Sequence, residues 1–491
     1  MLPAALALAL HPFQQRFVPV DGVDGTLSVA SDTLVRVQVD PVTDVIAVRA
    51  GAQTGTTTLH LSDSGGDRFD LPVRVALDAG VAPARLALTV TGQPVQWPWL
   101  WSQVQNAIAQ RSSLQPGASE TVAQPATTPV PPLPNAQLTF DVPVAIGGNA
   151  ADYDVSTTAR VRVDNEAVEP FAPPTLFYDD DPERVDADGV IYRTSVSAAN
   201  PARLYYYHDD GGPPRRLVVA LQSTGVPALV QVIDSSAGPN IDVLSVGHAV
   251  SKGMLEMKPR NEGEVVSVGI TQPLVLHDVL MTAKQCVAGS VDIQVLAGGP
   301  LEVTVLSLAQ REDVAGALDG PLLPRDGHHR TGAFSIDDFG TTSLAYSVGG
   351  PDAITQYGGR NQAPPNRVPG GRGTDYGDYG VLQTLLFSLA NPTAQNATVY
   401  LYERPLGGVV RSSFLVDGVL HQVGCVRDSS ERYGIAAFEL APGSRYQLQV
   451  DTMTDGSSSY PLEVGLTATP PLPGAPPISA PDGCFPKRSP N

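Results

Sequence analysis

The chain reads as a mainly β protein, a series of tandem β-sandwich domains with one small α+β domain, and three observations predict this. Short runs such as Val35-Arg36-Val37-Gln38-Val39 alternate apolar and polar residues with the period of two that belongs to a strand with one buried face. The 47 glycines and 45 prolines break the chain every few residues, which leaves little room for long helices. At 491 residues with 42% hydrophobic content, the chain is too long for one core, because single cores stop growing at roughly 250–300 residues.

Taken in order, Met1 to Leu10 is an apolar run ending in Ala7-Leu8-Ala9, which fits the core and cleavage site of a secretory signal, so residues 1–16 are assigned to a signal-peptide-like segment. The prediction is an extracellular or cell-envelope location. No later stretch reaches the roughly 18 apolar residues of a membrane helix, so no transmembrane segment is expected. Residues 17–82 hold short alternating runs separated by Gly, Asp and Pro, the spacing of a small sandwich. Residues 83–172 change character. Trp101, Val104 and Ile108 fall at helical spacing within 98–111, a Pro-rich break follows at 124–134, and strands resume, giving an α+β domain with the one helix expected of the chain. Trp97, Trp99 and Trp101 are read as anchors for that helix rather than as a sugar-stacking platform.

The remainder reads as an internal duplication. Sliding the sequence on itself by about 169 residues brings 229–233 onto 398–402, 271–274 onto 440–443 and 291–295 onto 460–464. Two tandem sandwiches are expected, 173–316 and 317–470, followed by a Pro-rich extended tail at 471–491.

Asp40-Pro41-Val42-Thr43-Asp44-Val45, Gly55-Thr56-Thr57-Thr58-Leu59 and Asp63-Ser64-Gly65-Gly66-Asp67 together resemble bacterial Ig-like domains and the N-terminal β-domain of pilus-assembly secretins. That resemblance implies an envelope or extracellular module and brings no catalytic residue. In the last sandwich, Asn391-Pro392-Thr393, Ala397-Thr398-Val399-Tyr400-Leu401 and Leu440-Ala441-Pro442-Gly443 resemble the accessory β-sandwiches of secreted bacterial proteins. The implied roles are spacer, adhesive unit or carbohydrate-binding accessory.

A net charge of −19 argues against nucleic acid, whose phosphates such a surface repels. Six carboxylates crowd residues 179–188, and Asp179, Asp181, Asp186 and Asp188 are the set that would hold calcium, although the spacing lacks the bidentate Glu of a calcium loop and equally suits a solvated turn. The alternation in Tyr205-Tyr206-Tyr207 places Tyr206 on the opposite face from its neighbours, with at least one ring expected toward solvent, a neighbouring domain or a ligand. The long polar stretch 349–380 carries Tyr357, Tyr376, Tyr379 and Arg372, a mix of rigid aromatics and hydrogen-bonding groups suited to recognition, against which stands a disordered or domain-packing insertion. Cys425 and Cys484 are placed to form a disulfide, which leaves Cys286 as a buried thiol. Nucleophile-elbow, phosphate-loop and zinc-protease motifs are absent, and no catalytic residue is expected. The sequence thus points to a non-enzymatic secreted or cell-envelope structural or interaction protein, with other envelope proteins, itself or a glycan as partner. The alternatives are a carbohydrate-binding or carbohydrate-processing extracellular protein, and a calcium-stabilised surface-layer or appendage subunit.

Overall fold

The alternating runs become strands: 54% of the described residues lie in strands and 8% in helix, so the mainly β class holds. The computed structural model describes residues 7–30, 32–336, 341–359, 363–368 and 373–474. The chain divides into two compact units, one of residues 1–88 with 95–164 and the other of residues 89–94 with 165–491.

In the first unit, Gln15–Pro19, Val45–Ala50 and Val35–Asp40 form one small sheet, and Leu8–Leu10, Arg68–Val75, Gly55–Ser62 and Ser28–Val29 form another. Between them lies a core that includes Leu10, Ile46, Val48, Leu59, Leu61 and Val73. Leu8–Leu10, expected at the cleavage end of an export signal, pairs in parallel with residues 73–75, and Leu10 is fully buried. Those residues therefore belong to the sandwich, which starts at Leu8 rather than at residue 17. A second sheet system runs in the order Ser119–Val122, Ala136–Gly147, Val155–Asn165, Arg85–Thr91. Helix α1 (Trp97–Arg111) starts with Pro98 in its first turn, where a missing N–H costs nothing, and buries Leu100, Trp101, Val104, Ala107 and Ile108 along one stripe. Trp97 stacks on Trp101 at 5.9 Å and meets Phe140 edge-on at 5.6 Å, as helix anchors do.

The second unit contains two large apolar clusters. One is built around Leu204, Leu217, Val219, Val230, Ile293 and Val303, the other around Phe387, Leu401, Phe414, Leu448 and Leu462. The second cluster fills a sandwich of a five-stranded and a four-stranded sheet drawn from residues 341–467. The first is organised by two very long strands, Arg215–Asn240 and Cys286–Ala309, which pair antiparallel with repeated register shifts that let them bend over the core. The strands aligned by the 169-residue offset share some of their neighbours in the two halves. Gly263–Val268, Arg215–Asn240 and Cys286–Ala309 lie side by side, as do Tyr433–Leu440, Ala397–Pro405 and Leu462–Thr467. Their registers differ, since Val232 pairs with Ile293 whereas Leu401 pairs with Leu466.

A second helix, α2 (Val243–Met257), was not expected. Asp242 caps it by accepting from the Ser245 N–H at 3.3 Å, and Leu244, Val250, Met254 and Leu255 are buried. Although α2 belongs to the first half, it packs on Val410–Val416 and Arg445–Met453 of the second as well as on Arg215–Asn240. No helix among the described residues is long and apolar enough to cross a membrane.

Candidate functional site

The seam between the two apolar clusters of the second unit opens into a cleft of about 160 Å³. Strands build its first wall. Thr175–Asp179 runs parallel to Ala202–Asp210 with Tyr178 opposite Tyr205, and the two rings stack at 5.3 Å. Because side chains alternate along a strand, Tyr205 and Tyr207 turn to the cleft while Tyr206 turns into the core. Asp180 and Glu183 follow where the first strand ends and line the same opening. Arg330, next to the strand Thr331–Ser335 that pairs with Thr175–Asp179, lines the same side, and the other wall is supplied by Tyr379, Gly456 and Ser457.

Hydrogen bonds fix the lining both within and between the walls. Tyr207 Oη and Ser457 Oγ are hydrogen-bonded, and Tyr379 Oη donates to the Ser458 carbonyl at 2.6 Å. The Arg330 guanidinium lies 5.6 Å from the ring centres of both Tyr178 and Tyr379. It donates to the Tyr376 carbonyl and stands 3.7 Å from the buried Asp375 carboxylate. Asp180 is held by a backbone bond from its N–H to the Arg330 carbonyl at 3.0 Å, yet its buried Oδ1 has no hydrogen-bond partner. Burial, reinforced by the neighbouring Glu183 charge, pushes the Asp180 carboxyl well above the usual carboxylate range. Burial likewise raises the Asp375 carboxyl, with Arg330 opposing, and lifts Asp378 to about 6. One Glu183 oxygen is paired with His329 Nε2.

The residues singled out in the sequence fare differently. Of the aromatic set, Tyr379 reaches the cleft, and Tyr376 supports it through its carbonyl and through its hydroxyl, which donates to the Tyr460 carbonyl at 3.1 Å. Tyr357 is buried in the second core. Tyr206 is fully buried and donates to Ser236 Oγ at 2.9 Å, so the ring expected to face a ligand is the one withdrawn from it, and Tyr205 and Tyr207 take that place. Arg372 lies outside the described residues. Three of the four aspartates considered for calcium are committed to separate partners, and the fourth is exposed. Asp179 is buried against His208 Nε2 at 3.0 Å, Asp181 Oδ1 accepts from the Asp326 N–H at 2.7 Å, Asp188 pairs with Arg215, and Asp186 is exposed. Among the described residues no group of three or more His, Cys, Asp or Glu side chains could hold a metal. Cys286 is free and buried and Cys425 is disulfide-bonded, while Cys484 lies outside the described residues.

A Ser, His and Asp do meet elsewhere, at Ser236, His277 and Asp234. There His277 Nε2 faces both Ser236 Oγ at 2.8 Å and Asp234 Oδ2 at 2.5 Å. A catalytic triad needs the carboxylate on one ring nitrogen and the hydroxyl on the other, so this group does not activate a nucleophile. Tyr178, Tyr205, Tyr207 and Arg330 escaped the sequence reading as site residues. The tyrosines were visible as alternating aromatics, but only the parallel pairing of two strands brings them together. Arg330 lies in a polar connecting stretch that carries no motif.

No protein-family model and no curated protein matches the chain. Among solved structures, Lac15 from a marine microbial metagenome aligns at 12% identity over 93% of this chain and 88% of that one, with a TM-score of 0.12. The SGBP-B protein of the Bacteroides ovatus mixed-linkage glucan utilization locus, solved with a mixed-linkage heptasaccharide, aligns at 10% identity over 61% and 72%, with a TM-score of 0.16. The CBM22 tandem domain of Paenibacillus barcinonensis Xyn10C aligns at 7% identity over 75% and 86%, with a TM-score of 0.11. Scores this low carry no argument about fold or function.

Proposed function

We propose that the chain is a non-enzymatic cell-envelope or extracellular interaction protein whose second unit binds the terminal unit of a glycan in the tyrosine-lined cleft. The single observation that carries this reading is the unpartnered, buried Asp180 Oδ1 in the wall of a cleft lined by four tyrosines. A buried acceptor without a donor costs roughly 1–3 kcal/mol, and a ligand hydroxyl or amine recovers that cost on binding. Aromatic faces beside a few fixed polar groups suit a sugar, which presents C–H bonds on one side and hydroxyls around its rim. The volume is below the roughly 300–1,000 Å³ of sites for larger small molecules, so the cleft suits one saccharide unit rather than a chain. Export is supported by the disulfide at Cys425, since such bonds persist in oxidising compartments. The kinship of the first sandwich to envelope Ig-like modules belongs to the same proposal.

The test is calorimetric titration of the whole chain with a panel of mono- and oligosaccharides. Saturable one-to-one binding that is lost in Tyr205→Ala supports the reading. Absence of binding across the panel, or equal binding by wild type and variant, overturns it.

One observation favours a second reading. A carboxyl held neutral by burial next to another carboxylate is the acid–base pairing of glycoside hydrolysis, with Asp180 as the acid and Glu183 as its partner. Release of reducing ends from a bound oligosaccharide, abolished in Asp180→Asn, would establish carbohydrate processing instead of binding alone.

A further inference from the structure

The charges around the cleft are unequally occupied. Arg330 is the one cation among the described lining residues, and its guanidinium is already engaged by two ring faces, a carbonyl and Asp375. Glu183 shares one oxygen with His329, whose other ring nitrogen lies 2.7 Å from Asp326 Oδ2. Asp180 is more than nine-tenths buried, with 8% of its surface exposed, and its Oδ1 is unmet. Burial holds the Asp180 carboxyl neutral, and a cation at this opening would draw its proton off and pair with the resulting carboxylate. That carboxyl sits beside Tyr178, Tyr205, Tyr207 and Tyr379, whose ring faces attract cations.

A neutral hydroxyl would satisfy the Oδ1 acceptor but would give an ionised Asp180 no charge partner in a partly dehydrated site. A positively charged donor does both jobs, and it gains from the tyrosine faces as Arg330 does on the same rings. Resting on the glycan reading above, we infer that the saccharide unit held in the cleft carries a protonated amine, as an amino-sugar end group does, seated between the tyrosine rings and the Asp180 and Glu183 carboxylates. The inference concerns which member of the sugar class is selected. It stands or falls separately from whether a sugar binds.

The experiment titrates the full chain at neutral pH with glucosamine, N-acetylglucosamine, glucose and methylammonium. Glucosamine is expected to bind about tenfold more tightly than either neutral sugar, the size of effect that a desolvated cation–π and carboxylate contact gives. Asp180→Asn should remove the preference for glucosamine, so that glucosamine and glucose bind with equal affinity. Glu183→Gln should lower that preference by a smaller factor, and it serves as the second variant if Asp180→Asn fails to fold. Equal binding of glucosamine and the neutral sugars overturns the cation while leaving the glycan reading intact. Methylammonium binding as tightly as glucosamine upholds the cation and overturns the glycan. No binding by any of the four overturns both.

Discussion

Replacing Glu403 by Gln should make the second unit markedly more resistant to alkaline conditions. Glu403 lies in Ala397–Pro405, is fully buried, and accepts a hydrogen bond from the Ser412 hydroxyl on one oxygen, while the other has no partner. Burial, opposed by the Ser412 bond and reinforced by the Asp455 charge, raises its carboxyl from the ordinary 4.5 to about 8. The folded state therefore holds a proton that the unfolded chain has released everywhere between those values. Stability from this group is complete below the unfolded value, falls as pH rises from about 4.5, and is lost by the time pH passes about 8. At roughly 1.4 kcal/mol for each pH unit, that gap amounts to about 5 kcal/mol as an upper bound, and water penetration or small shifts reduce it to about 2–3 kcal/mol. Glutamine keeps the shape and the acceptor but carries no charge. At pH 5 the variant and wild type should agree within about 1 kcal/mol, whereas at pH 9 the variant should be ahead by about 2–3 kcal/mol. All three tryptophans are in the first unit, so tryptophan fluorescence does not report on this residue. Hydrogen exchange of the amides in residues 397–405 at the two pH values does. A difference between variant and wild type that stays constant across that range refutes the reasoning. Asp378, raised to about 6, bends the pH curve with the same sign in both proteins and cancels from the comparison.

Three further outcomes are expected. Gly380 has φ +81°, and a Cβ there would lie 3.0 Å from both Leu176 Cδ1 and Tyr205 Cβ, so Gly380→Ala should destabilise by about 1–3 kcal/mol in denaturant titration and weaken saccharide binding through the displaced Tyr205. Arg203 is buried and makes a two-point contact with Asp292 at 2.6 and 3.1 Å, while Lys258 reaches the same carboxylate at 2.6 Å; Arg203→Met should cost about 3 kcal/mol, read as a shift of the denaturation midpoint, because Lys258 alone leaves Asp292 underpaired. With Cys425 disulfide-bonded and Cys286 free and buried, thiol titration without reductant should find no reactive thiol in the native protein and one per chain in denaturant.

Fold class was legible because period-two alternation is a local property, and helix α1 because Trp101, Val104 and Ile108 mark its buried stripe. Helix α2 was not, because Gly247 and Gly253 and the β-branched Val243, Val246 and Val250 lower its helix propensity, and packing makes up the difference. Ser235 Oγ would lie 2.2 Å from a Cβ on Gly253, and the Gly456 carbonyl 2.1 Å from one on Gly247, so both glycines mark places where another segment comes too close for a side chain. The Tyr205–Tyr207 alternation was legible but its direction was not, since which face of a strand meets the core depends on neighbouring strands far off in sequence. The 349–380 stretch, being long and polar, suited a recognition loop as well as a disordered or domain-packing insertion. Asp375 and Asp378 are buried, the Gly358 N–H donates to Asp378 Oδ2 at 2.8 Å, and the Gly380 carbonyl accepts from Arg203 Nη1 at 2.8 Å. Composition reports polarity, whereas burial depends on partners that composition does not contain.

Those partners explain why the cleft lies where it does. Across the seam between the two apolar clusters the contacts are largely directional. His248 on α2 meets Asp455 Oδ2 at 2.5 Å and Gln422 Oε1 at 3.0 Å, Ser251 donates to Asp455 Oδ1, and Arg411 Nη1 donates to Ser245 Oγ at 2.7 Å. Each such bond adds only about 1 kcal/mol net, and apolar contact over the same area would hold the halves together as well. Apolar contact would, however, tolerate sliding, whereas a buried carboxylate that must meet an imidazole and a hydroxyl at once permits one arrangement. Tyr178, Tyr205, Tyr207 and Arg330 belong to the first half, and Tyr379 and Ser457 to the second. Their mutual placement is thus inherited from the polar joint, so a site that has to meet a small ligand with fixed groups needs the joint more than it needs extra stability.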